Sequence, residues 1–276
     1  MSHIDPRDYH NAVKKLRHFF EDKGFIEVHT QSRLSILAAC EDPRTIASFH
    51  YAGSLFPLPQ TGQMWLEHEL LSNPDAPGFY CISTSFRNEP NPIPGRHDLI
   101  FPMVEFEFPG TMIDLFLMER ELIEYLDIAE TRYSIPRIRY DEAAEKYGVK
   151  ELEAEHEEML QQDFGPVVFL TDFPQYTSPF WNMKKNGDFA NKIDVILYGI
   201  ETIGSAERST DPDEMRHLFH TISDGMYADI LFAQFGRERV QKELETFLSF
   251  DFFDRAGGGI GVTRMIRALK LSEEDK

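Results

Sequence analysis

Thr84-Ser85-Phe86-Arg87-Asn88-Glu89 is followed by a proline-rich turn and then by Arg96-His97, Phe101, Glu105 and Glu107. Side chains alternate between faces along an extended strand, so Arg87 and Glu89 fall on one side as a cation beside a carboxylate. A guanidinium can grip a phosphate through two hydrogen bonds, a carboxylate can accept from an adenine amino group, and a ring such as Phe101 can stack on the base. Taken alone, the segment describes a surface ion pair beside a loop equally well. About 160 residues downstream stands Gly257-Gly258-Gly259-Ile260-Gly261-Val262-Thr263-Arg264, at a strand-to-helix junction. Glycines there admit a ligand close to the backbone, and Arg264 can address a phosphate or a purine face. A tight turn ahead of a buried helix would use the same glycines, so each run alone leaves two readings open.

The surrounding sequence alternates helix and strand. Val13, Leu16, Phe19 and Phe20 recur at spacings of three and four between Tyr9 and Lys23, which predicts an amphipathic helix stopped by Gly24 and followed by a strand at Phe25-Ile26-Glu27-Val28. Further helices are expected at Met64 to Ser72, at Asp114 to Thr131 behind a Thr111/Asp114 capping box, across 138–165, from Pro212 to Tyr227, from Ala228 to Phe247 and from Val262 to Leu271. Strands are expected at Gly78 to Ile82, Pro166 to Leu170 and Ile193 to Tyr198, the last turning at Gly199 into a hairpin that carries Glu201 back. Glu151, Glu153, Glu155, Glu157 and Glu158 read most simply as a solvated helix face. No repeat, low-complexity block or linker divides the chain, so residues 1–276 are expected to form one α+β domain.

Acidic residues outnumber basic ones 47 to 28, giving a formal charge of −19, so the average surface repels a polyanion. Only Cys40 and Cys81 occur, both expected to be buried and structural, and Met1 to Pro6 lacks a signal-peptide pattern. No apolar run approaches the roughly 18 residues of a membrane span. A reduced, cytoplasmic protein without membrane contact is expected.

The two runs, in this order and at this separation, resemble motifs 2 and 3 of class II aminoacyl-tRNA synthetases. Phe19 to Ser35 is similar to motif 1 of that family. Leu58-Pro59-Gln60-Thr61-Gly62-Gln63-Met64 resembles the substrate loop of its aspartyl/asparaginyl subgroup, as do Pro136 to Ala143, Asp172-Phe173-Pro174 with Pro179-Phe180-Trp181, and Asp194 through Arg208. The resemblance covers nearly the whole chain. It implies an antiparallel sheet flanked by helices, a homodimer, and an enzyme that uses ATP and Mg2+ to activate an amino acid as its adenylate.

Transferred residue by residue, the resemblance implies that Arg87 binds the α-phosphate, Glu89 the adenine edge and His97 the γ-phosphate side, with Phe101 and Arg264 enclosing adenine beside Gly261. Asp194 and Glu201 match the acidic pair that holds magnesium. Gln63 and Arg208 match positions that recognise the amino acid, with Glu41 near its α-amino group and Ser178 beside its side chain. Arg87 and Arg264 would carry the catalytic charge. Four positions depart from the pattern. Gln31 replaces the proline that ends motif 1, Ile100 replaces a glutamate before Phe101, Ser178 stands where aspartyl enzymes have a lysine, and Glu207 adds a negative charge expected near the side-chain pocket.

The resemblance to stand-alone archaeal asparagine-synthetase-like paralogues, together with an expected lack of an anticodon-binding module and the acidic balance, implies transfer of the activated acid to a small acceptor such as ammonia. Aminoacylation of a tRNA or a protein is a second reading, against which the charge weighs; it would need a basic path, for which Arg132, Arg137 and Arg139 are the candidates. A non-catalytic regulatory binder is a third, although such a protein would have no need of the acidic pair.

Overall fold

The computed structural model describes residues 4–31, 34–38, 43–93, 98–129 and 135–276. Helix α1 (Pro6–Asp22) is capped by Asp5, whose carboxylate accepts from the Arg7 and Asp8 amides, and it buries Val13, Leu16, Phe19 and Phe20. Gly24 at φ 78° turns the chain into the two-residue strand β1 (Ile26–Glu27). Helix α2 (Ser35–Ala38) and the hairpin β2 (Ser48–Tyr51) and β3 (Ser54–Pro57) lead to α3 (Gln63–Ser72). Strands β4 (Phe79–Phe86) and β5 (Ile100–Pro109) precede α4 (Met112–Tyr125), whose start has the expected Thr111/Asp114 capping box.

Strand β6 (Arg137–Arg139), helices α5 (Tyr140–Tyr147) and α6 (Ala154–Phe164), and strands β7 (Val167–Pro174), β8 (Lys185–Asn186), β9 (Phe189–Leu197) and β10 (Ile200–Glu207) follow. The β9–β10 hairpin turns through Tyr198 at φ 50° and Gly199 at φ 74°, the two left-handed residues of a tight antiparallel turn. Where two helical segments are expected, Pro212 to Tyr227 and Ala228 to Phe247, there are three, α7 (Pro212–Thr221), α8 (Met226–Phe235) and α9 (Arg237–Leu248), because Ser223 and Asp224 leave helical geometry and Gly236 caps α8 at φ 88°. Strand β11 (Arg255–Gly261) and helix α10 (Val262–Glu274) close the chain.

The large sheet has the order β1-β4-β5-β11-β10-β9-β7-β6, with β8 paired to β9. Its neighbours run antiparallel except at the two ends, where β1 joins β4 and β6 joins β7 in parallel. One face is apolar. Tyr80, Val104, Phe106, Val195, Ile203, Ala256 and Ile260 point from it into a core closed by α1, α4 and α10. Phe20, fully buried, packs against Tyr80 and Phe106 with ring centroids 5.4 and 5.3 Å apart, which locks α1 to the sheet. The opposite face is apolar only at its ends, under α5 and α6 and beside the α7–α9 bundle. Its middle is polar and holds the site described below.

Among the described residues no helix is long and apolar enough to cross a membrane. Cys81 is fully buried, and its thiol is pushed well up by burial and by the neighbouring Glu105; Cys40 lies outside the described residues.

One buried acid sits on the apolar side. Glu119 of α4 is fully buried, and desolvation raises its carboxyl from 4.5 to about 8, with the Ser205 hydroxyl pulling the other way. Between those values the unfolded chain is ionised while the folded chain stays protonated, so this group lowers stability as pH rises, by up to about 1.4 kcal/mol per pH unit. Glu119→Gln is therefore expected to gain stability relative to the parent progressively from pH 5 to pH 8. Urea unfolding of both proteins at several pH values checks this; a constant difference would contradict it.

Candidate functional site

Register builds the floor of the site. Asp194 on β9 pairs with Gly204 on β10, Gly204 with Gly259 on β11, Gly259 with Glu105 on β5, and Glu105 with Cys81 on β4. All five point to the same face, so two adjacent glycines form a trough with a carboxylate on either side. A Cβ at Gly204 would lie 2.9 Å from Glu201 Oε1 and 3.6 Å from Asp194 Oδ1. That one position shows that the Asp194 and Glu201 carboxylates converge, as the hairpin at Gly199 led us to expect.

One end of the trough opens into a cavity of about 260 Å3 whose lining includes Gln63, Arg208, Phe180, Asn182, Lys192 and Glu105. Arg208, 3% exposed, donates from Nε and Nη2 to the two oxygens of Glu107, each at 3.0 Å, and from Nη2 to Gln63 Oε1 at 3.0 Å. This bidentate grip fixes the guanidinium plane. Burial pushes the Glu107 carboxyl up, to about 7, and the charges of Arg208 and Arg255 offset part of that rise. The adjacent glycine is obligatory, since a Cβ at Gly257 would fall 1.8 Å from Glu107 Oε2. Gln63 is placed through its own loop: Thr61 Oγ1 and the Gly62 amide donate to Glu105, the latter at 2.7 Å, while Ser83 Oγ donates to the same carboxylate.

Behind this pair lies a second buried one. Arg255 and Glu67 are fully or almost fully buried and bonded to each other; Asn182 donates to Glu67 at 2.6 Å, and Arg255 donates to the Ser209 and Phe253 carbonyls. These contacts tie α3, the segment carrying Phe180 to Met183, and β11 together beneath the cavity.

The other end of the trough opens into a cavity lined by Arg87, Glu89, Asp98, Phe101, Glu201, Gly261 and Arg264. Arg87 and Glu89 lie just past the end of β4 rather than within it, yet both still face the cavity, and the Arg87 amide continues the ladder to Leu99 at 2.8 Å. The Arg87 guanidinium lies 5.4 Å from the centre of the Phe101 ring. Arg264, in the first turn of α10, donates to the Glu201 carbonyl at 2.6 Å and stands 3.8 Å from its carboxylate. Arg87, Glu89, Met103, Glu201, Gly204 and Gly259 border both cavities, so a molecule in one can meet a molecule in the other.

Asp194 and Glu201 suit a hard cation. Among the described residues no cluster of three or more acid, histidine or cysteine side chains could hold a metal by itself. Magnesium commonly takes one or two carboxylates and completes its shell with phosphate oxygens and water.

Several expectations change. Ser178 is not among the residues lining the amino-acid-sized cavity; it sits at φ 53°, its amide bonded to Gln175, and Phe180 and Asn182 from the same segment take its place. Glu207 points to the face opposite Arg208, where Lys184 and Asn191 donate to it at 2.7 and 2.6 Å, so it adds no charge to the pocket. Glu153 and Glu157 are not merely a solvated face, since both border the Arg87 cavity and Glu157 accepts from the Glu201 amide at 2.6 Å. His97 and Glu41 lie outside the described residues. The holding roles of Glu105 and Glu107 and the presence of Lys192 and Asn182 were missed; Glu105 and Glu107 carried a signal, two acids at alternate positions of an otherwise apolar strand.

The polar trough on this largely antiparallel sheet, with arginines at both ends and an acidic pair between them, is built by a chain that matches the class II tRNA synthetases. The chain belongs to that family: residues 7–274 match the model for tRNA synthetases class II (D, K and N). The aspartate–tRNA(Asp/Asn) ligase of Methanopyrus kandleri is 25% identical over 264 residues, which cover 76% of this chain and 57% of that protein. A lysine–tRNA ligase of Coxiella burnetii is 23% identical over 309 residues, covering 92% of this chain and 59% of the relative. The chain thus spans little more than half the length of these two relatives. Among solved structures, asparaginyl-tRNA synthetase from Pyrococcus horikoshii in complex with asparaginyl-adenylate has the same fold, with a TM-score of 0.78, 21% identity and coverage of 96% of this chain and 65% of that one.

The two arginines are expected to respond differently to removal. Arg208→Met leaves Glu107 buried without its main counter-charge and should cost about 3–5 kcal/mol of stability. Arg87→Ala, at a cavity edge, should leave the melting temperature within about 2 °C of the parent. Thermal unfolding of both variants distinguishes the roles; equal losses would contradict the assignment.

Proposed function

We propose that this protein is an ATP-dependent ligase that activates an aspartate- or asparagine-like amino acid as its adenylate. The observation that carries this reading is the continuity of the Arg87/Phe101/Arg264 cavity with the Gln63/Arg208 cavity across Gly204 and Gly259. A nucleotide in the first would have its adenine near Phe101 and Arg264 and its α-phosphate near Arg87. An amino acid in the second would have its side chain at Arg208 and Gln63 and its carboxylate directed along the trough.

In the reaction a carboxylate oxygen of the amino acid attacks the α-phosphorus, the bond to the bridging oxygen breaks, and pyrophosphate leaves with the electron pair. Two anions must approach, and charge builds on the α-phosphate oxygens in the transition state. Arg87 and Arg264 would supply the positive charge that meets it. Magnesium at Asp194 and Glu201 would add positive charge at the phosphates. No protein nucleophile is required; alignment and electrostatics suffice.

Arg208 is already paired with Glu107, so the end of the cavity offers a nearly neutral, donor-rich surface. That favours an amide or a singly charged side chain over a strongly anionic one. For the acceptor, a small amine such as ammonia is supported by the acidic surroundings, a charge of −19 overall and Glu153 and Glu157 at the cavity edge. Of the basic path considered for tRNA, Arg137 is paired with Asp172 and Arg139 with Asp141, and Arg132 lies outside the described residues. The names of the relatives favour tRNA as the second reading.

Amino-acid-dependent exchange of labelled pyrophosphate into ATP tests the first half-reaction. Exchange is expected with asparagine or aspartate and should fall at least about 100-fold in Arg87→Ala. No exchange with any amino acid, under conditions where ATP binds, would sink the proposal. Adding ammonium or bulk tRNA to the preformed adenylate then identifies the acceptor by which one consumes it.

A further inference from the structure

The acidic pair already has a cation beside it. Lys192 lies two residues before Asp194 on the same face of β9, and its Nζ stands 3.4 Å from Asp194 Oδ2. The two side chains are only 14% and 11% exposed. The ammonium also lies 4.3 Å from the centre of the Phe173 ring, a contact that holds a cation by the ring's negative face. Lys192 borders the Gln63/Arg208 cavity on one side and, on the other, a cavity of about 270 Å3 shared with Tyr140, Glu157, Asp194 and Glu201. The sheltered ammonium, between a carboxylate and an aromatic face, pairs with Oδ2 of Asp194, while Oδ1 is the oxygen nearest the Gly204 position where the Glu201 carboxylate converges.

We propose that Lys192 is a resident cation of the site, a positioning residue that neutralises Asp194. Without nucleotide a divalent ion meets one neutralised carboxylate and Glu201, and it binds weakly. Bound phosphates would supply the further oxygen ligands that such an ion needs. This inference rests on reading Asp194 and Glu201 as the metal-facing pair, but not on adenylation taking place.

The test is Mn2+ binding to the full chain without ATP or amino acid, followed by electron paramagnetic resonance of the free ion. The parent protein should bind Mn2+ weakly. Lys192→Met should bind it at least about tenfold more tightly, because a like charge has been removed from contact distance of the ion's ligand. Lys192→Arg should stay weak, and adding Asp194→Asn to Lys192→Met should abolish the gain. Circular dichroism shows whether each variant is folded, and Lys192→Gln serves if the Met variant is not. Unchanged Mn2+ affinity in a folded Lys192→Met or Lys192→Gln protein, or tightening that survives Asp194→Asn, would overturn the proposal. Neither result bears on pyrophosphate exchange, so the two readings can fail separately.

Discussion

The site depends on one row across the sheet, Asp194–Gly204–Gly259–Glu105, in which two residues without side chains lie between two acids. Any larger residue at either glycine would fill the space through which the two cavities meet. At Gly204 a Cβ would press on Glu201, and at Gly259 it would come within 3.0 Å of Gln63 Nε2. The floor is made of backbone so that charged groups can converge above it. Strand alternation keeps this arrangement compatible with folding, because the opposite face of the same strands carries Val104, Ile203 and Ile260 into an apolar core.

Burying so many charges is costly unless each is matched. The molecule meets that cost with closed pairs. Arg208 spends two donors on Glu107, Arg255 is enclosed by Glu67 and two carbonyls, and Glu105 collects donors from Thr61, Gly62 and Ser83. Such pairs add little net stability compared with a hydrophobic filling, but they hold a geometry. Arg208 in particular cannot swing away from the cavity without abandoning Glu107. At the other end of the trough Arg264 donates to the backbone carbonyl of Glu201 and Arg87 lies over the Phe101 ring.

Much of this was legible in the sequence wherever a local rule applied. The spacing of Val13, Leu16, Phe19 and Phe20 marked α1, Thr111 and Asp114 marked the start of α4, and Gly199 marked the hairpin that brings Asp194 and Glu201 together. The motif resemblance placed Arg87, Glu89, Phe101, Arg264, Gln63 and Arg208 in two groups, and they line two adjoining cavities. What failed depended on direction rather than identity. Glu207 is next to Arg208 in sequence and on the other face in space, and Ser178, at a left-handed backbone position, does not line the cavity. The partners of Arg208, Arg255 and Gln63 come from strands and helices far along the chain, and no periodicity within a segment announces a contact between Glu67 and Arg255. The break between α7 and α8 lies at Ser223 and Asp224, two residues with positive φ ahead of Gly225, so the Asp-Gly pair carried a turn signal that was missed.

The central claim is that nucleotide and amino acid meet over the glycine trough. A crystal structure of the protein with a non-hydrolysable asparaginyl- or aspartyl-sulfamoyl adenosine tests it most directly. The account predicts adenine between Phe101 and Arg264, the sulfamoyl group beside Arg87 above Gly204 and Gly259, and the aminoacyl side chain at Gln63 and Arg208. An analogue seated elsewhere, or one that binds with its aminoacyl end away from Arg208, would contradict it.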